Sequence, residues 1–289
     1  MQILVVSPRV APGLLTLSAW DALRAAPVVR SADLADPHVE AIITAGIPVE
    51  STPDAPSYEA EAVWIAPTGD VSWAQTVATD LMDGETPEDA PHVEIIFGSY
   101  DQPGARLLDL VEVMDQLRNE CPWTQQQTHA SLSHYLLEEA YETLESLDSG
   151  NSEHLLEELG DLLMQVVFHA RIAAEAEGWD IDSVAEGIVG KLIYRNPHVF
   201  GDETVASADE VDARWQALKS VEKQRQSPLD GIPLELPALA FADKVLSRIG
   251  DVTPTGDDIG SRLLGLVQEA RAEGVNAEEA LRKSVRALF

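Results

Sequence analysis

Leu136-Leu137-Glu138-Glu139-Ala140-Tyr141-Glu142, followed by Glu157-Glu158-Leu159-Gly160-Asp161, is the stretch on which the rest of the chain is organised. The first segment reads as a helix. At about 100° per residue, Glu139 and Glu142 lie about 60° apart on one side, with Glu138 just beyond Glu142. Leu132, Leu136, Ala140 and Leu144 form the neighbouring apolar stripe, which puts Glu139 at the edge of a core face. The next helix repeats the pattern. Leu155, Leu159, Leu162, Val166 and Ala173 make a stripe that Glu158 borders, and Asp161 follows Glu158 at i+3.

Carboxylates at these spacings repel one another. Beside an apolar seam they also lose hydration, which is costly for an unpaired charge. A hard divalent cation removes both penalties, and Mg²⁺ takes oxygen ligands while sharing its remaining positions with substrate phosphates. Two antiparallel helices, each offering acids, make an all-oxygen site of that kind. In a chain this acidic the commoner outcome for any one pair is a solvated face. The position of both pairs beside apolar stripes argues for the metal.

Of 289 residues, 50 are Asp or Glu and 19 are Lys or Arg, a net charge of −31. That balance argues against nucleic acid or an anionic membrane as partner, because both reward basic patches. It would also repel a polyanionic substrate, so an enzyme acting on a phosphate ester would need metal and a few placed cations. Cys121 is the single cysteine, which excludes an internal disulfide and a cysteine-rich zinc site. The short apolar run Met1–Val6 has no basic leader. No window approaches the length of a spanning helix, and the expectation is a cytoplasmic protein.

Residues 1–100 read as a small α/β unit, with strands expected at 2–7, 27–30, 61–65 and 92–97 and a helix at 14–26. Residues 101–104 read as a turn. Helices are expected at 106–118, 131–147, 152–177 (Ser152 as N-cap, Gly178 as stop) and 182–194, which together make a helical bundle. Pro228, Pro233 and Pro237 mark a further boundary. The resulting division is 1–100, 101–227 and 228–289. The fold class expected is mainly α, a helical bundle with a small N-terminal α/β region.

The acidic motif and its flanks resemble the MazG family of nucleoside triphosphate pyrophosphohydrolases. Glu138-Glu139-x-x-Glu142 with Glu158-x-x-Asp161 is similar to its EExxE…ExxD signature. Cys121-Pro122-Trp123, Gln127-Thr128-His129, Pro197-His198-Val199-Phe200-Gly201, Trp215-x-x-x-Lys219-x-x-Glu222-Lys223 and Leu229-Asp230-Gly231-Ile232-Pro233 extend the likeness over roughly 105–250. Thr124 and Asn196 depart from the Asp and His usual there. The resemblance implies a homodimer that hydrolyses a nucleoside triphosphate to monophosphate and diphosphate. It implies Mg²⁺, with Mn²⁺ as substitute, on Glu139, Glu142, Glu158 and Asp161; Glu138 binds a further metal or orients water. Lys191, Arg195, Trp215, Lys219 and Lys223 are the implied substrate contacts. His129 and His169 are expected to be structural, and Cys121 a small core residue.

Residues 12–26 also resemble the opening of tetrapyrrole methylases, but without the glycine-rich turn and in too short a segment. A remnant without methyl transfer is expected. The tail echoes the acidic helix, 258–264 against 158–164, with Ser261 where Asp161 stands. Residues 228–289 are therefore expected to pack or support a dimer as a degenerate second half. Competing readings are a scaffold of the same fold that has lost catalysis, a narrow dUTP- or dCTP-directed hydrolase, and a redox di-metal bundle. The last needs Glu-x-x-His pairs, which the two acidic helices lack.

Overall fold

A computed structural model of the chain describes residues 1–52, 56–82, 92–222, 227–253 and 256–288. The chain divides into two compact units, Met1–Val184 and Ala185–Phe289. The first combines a parallel sheet with a set of helices. The second, among its described residues, is helical.

The sheet contains β1 (Gln2–Val5), β2 (Val29–Ser31), β3 (Glu50–Ser51), β4 (Val63–Ile65) and β5 (Glu94–Phe97). Its order is β3-β2-β4-β1-β5, all neighbours parallel. β1 is buried on both faces, as a central parallel strand should be. Leu4 and Val6 pack on one side with Ala19 and Leu23 of α1 (Leu17–Ala25) and with Val39 and Ile42 of α2 (Pro37–Thr44). Ile3 and Val5 pack on the other with Ala74 and Ala78 of α3 (Val71–Met82). Asp36 caps α2 by accepting from the His38 and Val39 N–H groups, with Pro37 at the first helical position. The four expected strands are present. β3, α2 and α3 were not foreseen.

α4 (Arg106–Glu120), α5 (Pro122–Gln126), α6 (His129–Ser149) and α7 (Ser152–Ala176) follow. α6 begins at His129 rather than 131, because Thr128 and Ser131 close a reciprocal capping box there. Gly150, at φ +69, ends α6 in the left-handed region. Asn151, not Ser152, then caps α7 by accepting from the Glu153 and His154 N–H groups. The result is a tight antiparallel hairpin of the two acidic helices. Its far end packs on α4 through Met114, Leu132, Val167 and Phe168. Phe168 is 2% exposed, so Phe168→Ala is expected to cost about 3–5 kcal/mol of unfolding free energy. Urea midpoints compared with wild type would check this.

The apolar stripes differ from expectation. Leu132 is buried, but Leu136, Leu144, Leu159 and Val166 are 37–48% exposed. Helical period identifies which face is apolar; it does not say what covers it. Cys121 is half-buried rather than a core residue. Hydrogen bonds from the Thr124 and Trp123 N–H groups lower its thiol pKa.

α8 (Ile181–Arg195) crosses from the first unit into the second. The second unit continues with α9 (Pro197–Phe200), α10 (Ala208–Glu222), α11 (Ala238–Ile249), α12 (Ile259–Ala272) and α13 (Ala277–Arg286). Leu246 and Val267 are its buried anchors on α11 and α12. Asp258 and Ser261 are used up as a cap: Asp258 accepts from the Ser261 N–H and hydroxyl. The fold is thus mainly α with a small N-terminal α/β region.

Candidate active site

The α6–α7 hairpin brings Glu139, Glu158 and Asp161 together, each with a carboxylate oxygen within 4.8 Å of the others. Glu139 comes from α6, and the other two lie one turn apart on α7. Small polar residues line the seam and let the helices approach closely. Thr143 and Ser146 are buried on α6, and Gln165 is buried on α7. The Thr143 hydroxyl donates to its own helix, at Glu139 O (2.7 Å). Sequence reading passed over this seam. Its signal was the pair of small polar residues, Thr143 within the leucine stripe and Ser146 at its edge.

The electrostatics are those of crowded anions. The Glu139 carboxyl is pushed above the ordinary carboxylate range by burial first, then by Asp161, Glu142, Glu158 and Glu138 in that order. Glu158, 8% exposed, is pushed up by burial and then chiefly by Glu142. Glu142 is exposed and outside the close trio, yet its charge reaches both half-buried Glu139 and buried Glu158. Glu138 is exposed and acts on Glu139 alone of the two. A second close group, His154, Glu157 and Glu158, shares Glu158 at the solvent side; its i, i+3, i+4 spacing was readable in the sequence. The donor set fits a hard cation. It supplies only carboxylate oxygens in the trio, and their mutual repulsion and lost hydration are what a divalent ion would cancel.

The expected substrate contacts fall in or at the second unit. Lys191 is exposed on α8. Arg195, one turn on, is 8% exposed. Its Nε and Nη2 donate to Glu222 Oε2 at 3.0 and 2.8 Å, and its guanidinium lies 5.2 Å from the centroid of the half-buried Trp215 ring. Arg195 and Trp215 therefore hold α8 and α10 together in this arrangement. Lys219, half-buried, helps line a cavity of about 600 Å³ with Gln216, Lys244 and Arg248. Lys223 lies outside the described residues.

His129 and His169 lie with ring centroids 5.0 Å apart and planes nearly parallel, with Nδ1 to Nδ1 at 2.7 Å. One ring carries the proton between them. Trp179 also stacks with His129, centroids 6.2 Å apart, and Glu177 lies 3.1 Å from His129 Nε2. Burial, then the neighbouring His129, lowers the His169 pKa. The folded state therefore takes a proton at His169 less readily than the unfolded chain does. Stability is expected to fall as pH drops below the unfolded value of about 6.5. The check is the melting temperature from pH 7.5 to 5.5, which should decline more steeply in wild type than in His169→Asn.

Residues 127–200 match the MazG nucleotide pyrophosphohydrolase domain. A Streptomyces cacaoi relative, "Uncharacterized 26.1 kDa protein in blaB 3'region", is 47% identical over 216 residues, covering 72% of this chain and 89% of that one. The Mycolicibacterium smegmatis nucleoside triphosphate pyrophosphohydrolase is 44% identical over 180 residues, 61% of this chain and 55% of its own. The Thermotoga maritima nucleoside triphosphate pyrophosphohydrolase/pyrophosphatase MazG is 34% identical over 216 residues, 64% of this chain and 83% of its own. The match therefore spans about half the length of the mycobacterial relative and most of the Streptomyces and Thermotoga ones. With the Thermotoga protein matched over most of its length and the acidic hairpin in place, the chain belongs to the MazG family.

Proposed function

We propose that this chain hydrolyses nucleoside triphosphates to the monophosphate and diphosphate in a Mg²⁺-dependent reaction. One observation carries the reading: Glu139, Glu158 and Asp161 converge within 4.8 Å across a helical hairpin. The names of the mycobacterial and Thermotoga relatives support the reaction class. In this reading Glu139, Glu142, Glu158 and Asp161 hold the metal, with Mn²⁺ as substitute, and Glu138 sits at the edge of the site. When bound, Mg²⁺ neutralises and orients the triphosphate. Lys191, Arg195, Trp215, Lys219 and Lys223 are the proposed substrate contacts, with Lys191 the exposed cation on α8.

The proposed assembly is a homodimer in the cytoplasm. The exposed leucines of the hairpin, Leu137, Leu147 and Leu156 at 56–76% among them, form an apolar face that a second copy would cover. No helix among the described residues is long and apolar enough to cross a membrane.

The test is product analysis of ATP, dCTP and dUTP incubated with the protein and Mg²⁺, beside Glu142→Ala. Monophosphate and diphosphate from wild type only are expected. Nucleoside diphosphate and free phosphate would overturn the bond assignment. Turnover confined to dUTP or dCTP would narrow the substrate class, and no turnover at all would leave a fold that has lost catalysis.

A further inference from the structure

The N-terminal sheet carries a crevice that the acidic centre does not use. α1, which follows β1, packs on one face of the sheet; α3, which follows the neighbouring β4, packs on the other. The connections leaving these two adjacent strands thus diverge to opposite faces. In open parallel sheets the space outside the carboxyl ends of such a strand pair is where ligands bind. A cavity of about 530 Å³ lies there, bounded by the segments that follow β1, β4 and β5. That volume suits a small organic ligand of about 300–1,000 Å³ sites.

The cavity is built, not incidental. Gly69, at φ +66, brings the loop after β4 so close to β1 that a Cβ there would lie 2.1 Å from the Val6 carbonyl oxygen. Thr68 beside it holds φ +49, a conformation that costs a non-glycine residue energy and tends to be kept where a site needs it. The Ser7 N–H donates to Ser99 Oγ at 2.8 Å, and the Ser7 hydroxyl donates to Asp101. These fix the loops after β1 and β5 to each other.

Charge and shape then select the ligand. The cations in the lining are Arg9 and Arg106, and the anions are Asp70 and Asp101. Arg9 is committed to Asp101 (2.8 Å) and Asp109 (2.6 Å), Arg106 to Asp109 (3.0 Å). Asp70 caps α3 by accepting from the Trp73 N–H. A balanced lining in a chain of net charge −31 does not recruit phosphate. One wall is aromatic: Tyr100, 62% exposed, stacks on Phe97 with centroids 5.4 Å apart at 22°. An open ring backed by a second ring is a platform for a planar base, and the serine hydroxyls and carboxylates beside it match sugar hydroxyls. We infer that the carboxyl end of the N-terminal sheet binds an unphosphorylated nucleoside, its base on Tyr100, at a site separate from the acidic hairpin.

Calorimetric titration of the full chain with adenosine, guanosine, cytidine and uridine, without metal, tests this. At least one is expected to bind. Tyr100→Ala should weaken that binding about tenfold, the loss of one stacked base, while Tyr100→Phe retains it and Glu142→Ala leaves it unchanged. Melting curves of the two Tyr100 variants confirm that the fold is intact. Absence of binding by all four nucleosides would overturn the inference. So would binding that survives Tyr100→Ala, or that is lost in Glu142→Ala, which would place the nucleoside at the acidic hairpin. Triphosphate hydrolysis, read separately as monophosphate formation, stands or falls independently.

Discussion

Glu158→Gln is expected to abolish triphosphate hydrolysis and, in metal-free buffer at pH 7, to raise the melting temperature. Both effects come from one geometry. Glu158 is 8% exposed, and its carboxylate lies within 4.8 Å of those of Glu139 and Asp161. Burial and the surrounding acids hold its pKa above the ordinary carboxylate value. A carboxyl whose folded pKa is raised subtracts stability once pH exceeds its unfolded value of about 4.3, because it is then ionised where ionisation is unfavourable. The amide removes that penalty. It also removes an oxygen of the proposed metal site, and kcat should fall on the order of a thousandfold, the scale of losing one charge-stabilising group at a reacting centre. Adding Mg²⁺ should reverse the ranking, because ligand binding stabilises only the protein that binds it. Glu145→Gln, an exposed acid on α6, serves as the control and should change neither quantity. A variant with wild-type kcat, or a wild type whose melting temperature ignores Mg²⁺, would remove the acidic trio from the chemistry.

The acidic hairpin was legible because two periodic signals coincided. Helical spacing placed Glu139, Glu158 and Asp161 beside leucine stripes, and Gly150 just after α6 marked the reversal. Covering was not legible. Leu136, Leu144, Leu159 and Val166 have the period of a core face and are nonetheless 37–48% exposed, because a periodic pattern describes one helix and coverage depends on others. The strands of the N-terminal unit were readable from their apolar runs; their order, β3-β2-β4-β1-β5, was not, since pairing across β1 joins residues ninety and more positions apart. The same limit hid the crevice at the carboxyl ends of β1 and β4. At α2 the local signal was present: Asp36-Pro37 is a cap followed by a first-turn proline. Arg195 shows the opposite failure. Its one-turn spacing from Lys191 suggested a shared basic face, whereas Glu222 and Trp215 draw it inward.

Arg118→Ala is expected to be among the most destabilising changes outside the apolar core, at about 1–3 kcal/mol, the cost of taking a buried charged donor from its acceptors, with the Glu175 side of the ion pair 38% exposed. Arg118 is 9% exposed. Its Nε and Nη2 donate to the two oxygens of Glu175 at 2.7 and 2.9 Å, and its Nη1 donates to the carbonyls of Thr124 and Gln127 (3.1 Å to the latter). One guanidinium thus ties α4 to α7 and to the turn that leads into α6. The Ala variant leaves Glu175 with Arg171 at 3.1 Å and takes the Arg donor from the Thr124 and Gln127 carbonyls just before the Thr128 cap, the former keeping the Gln127 N–H. Urea unfolding of Arg118→Ala, Glu175→Ala and the double variant would measure this, with an expected coupling of about 1–3 kcal/mol between the sites. The penalty should also depend on pH. Hydrogen bonding to Arg118 is the main cause that lowers the Glu175 pKa, so the pair contributes stability above the unfolded value of about 4.3 and loses it as pH falls toward the folded one. Wild type and Arg118→Ala should therefore converge in stability under acid. If the single variants cost less than about 1 kcal/mol at pH 7, the pair behaves as a solvated surface bridge, and the start of α6 is held by its capping box alone.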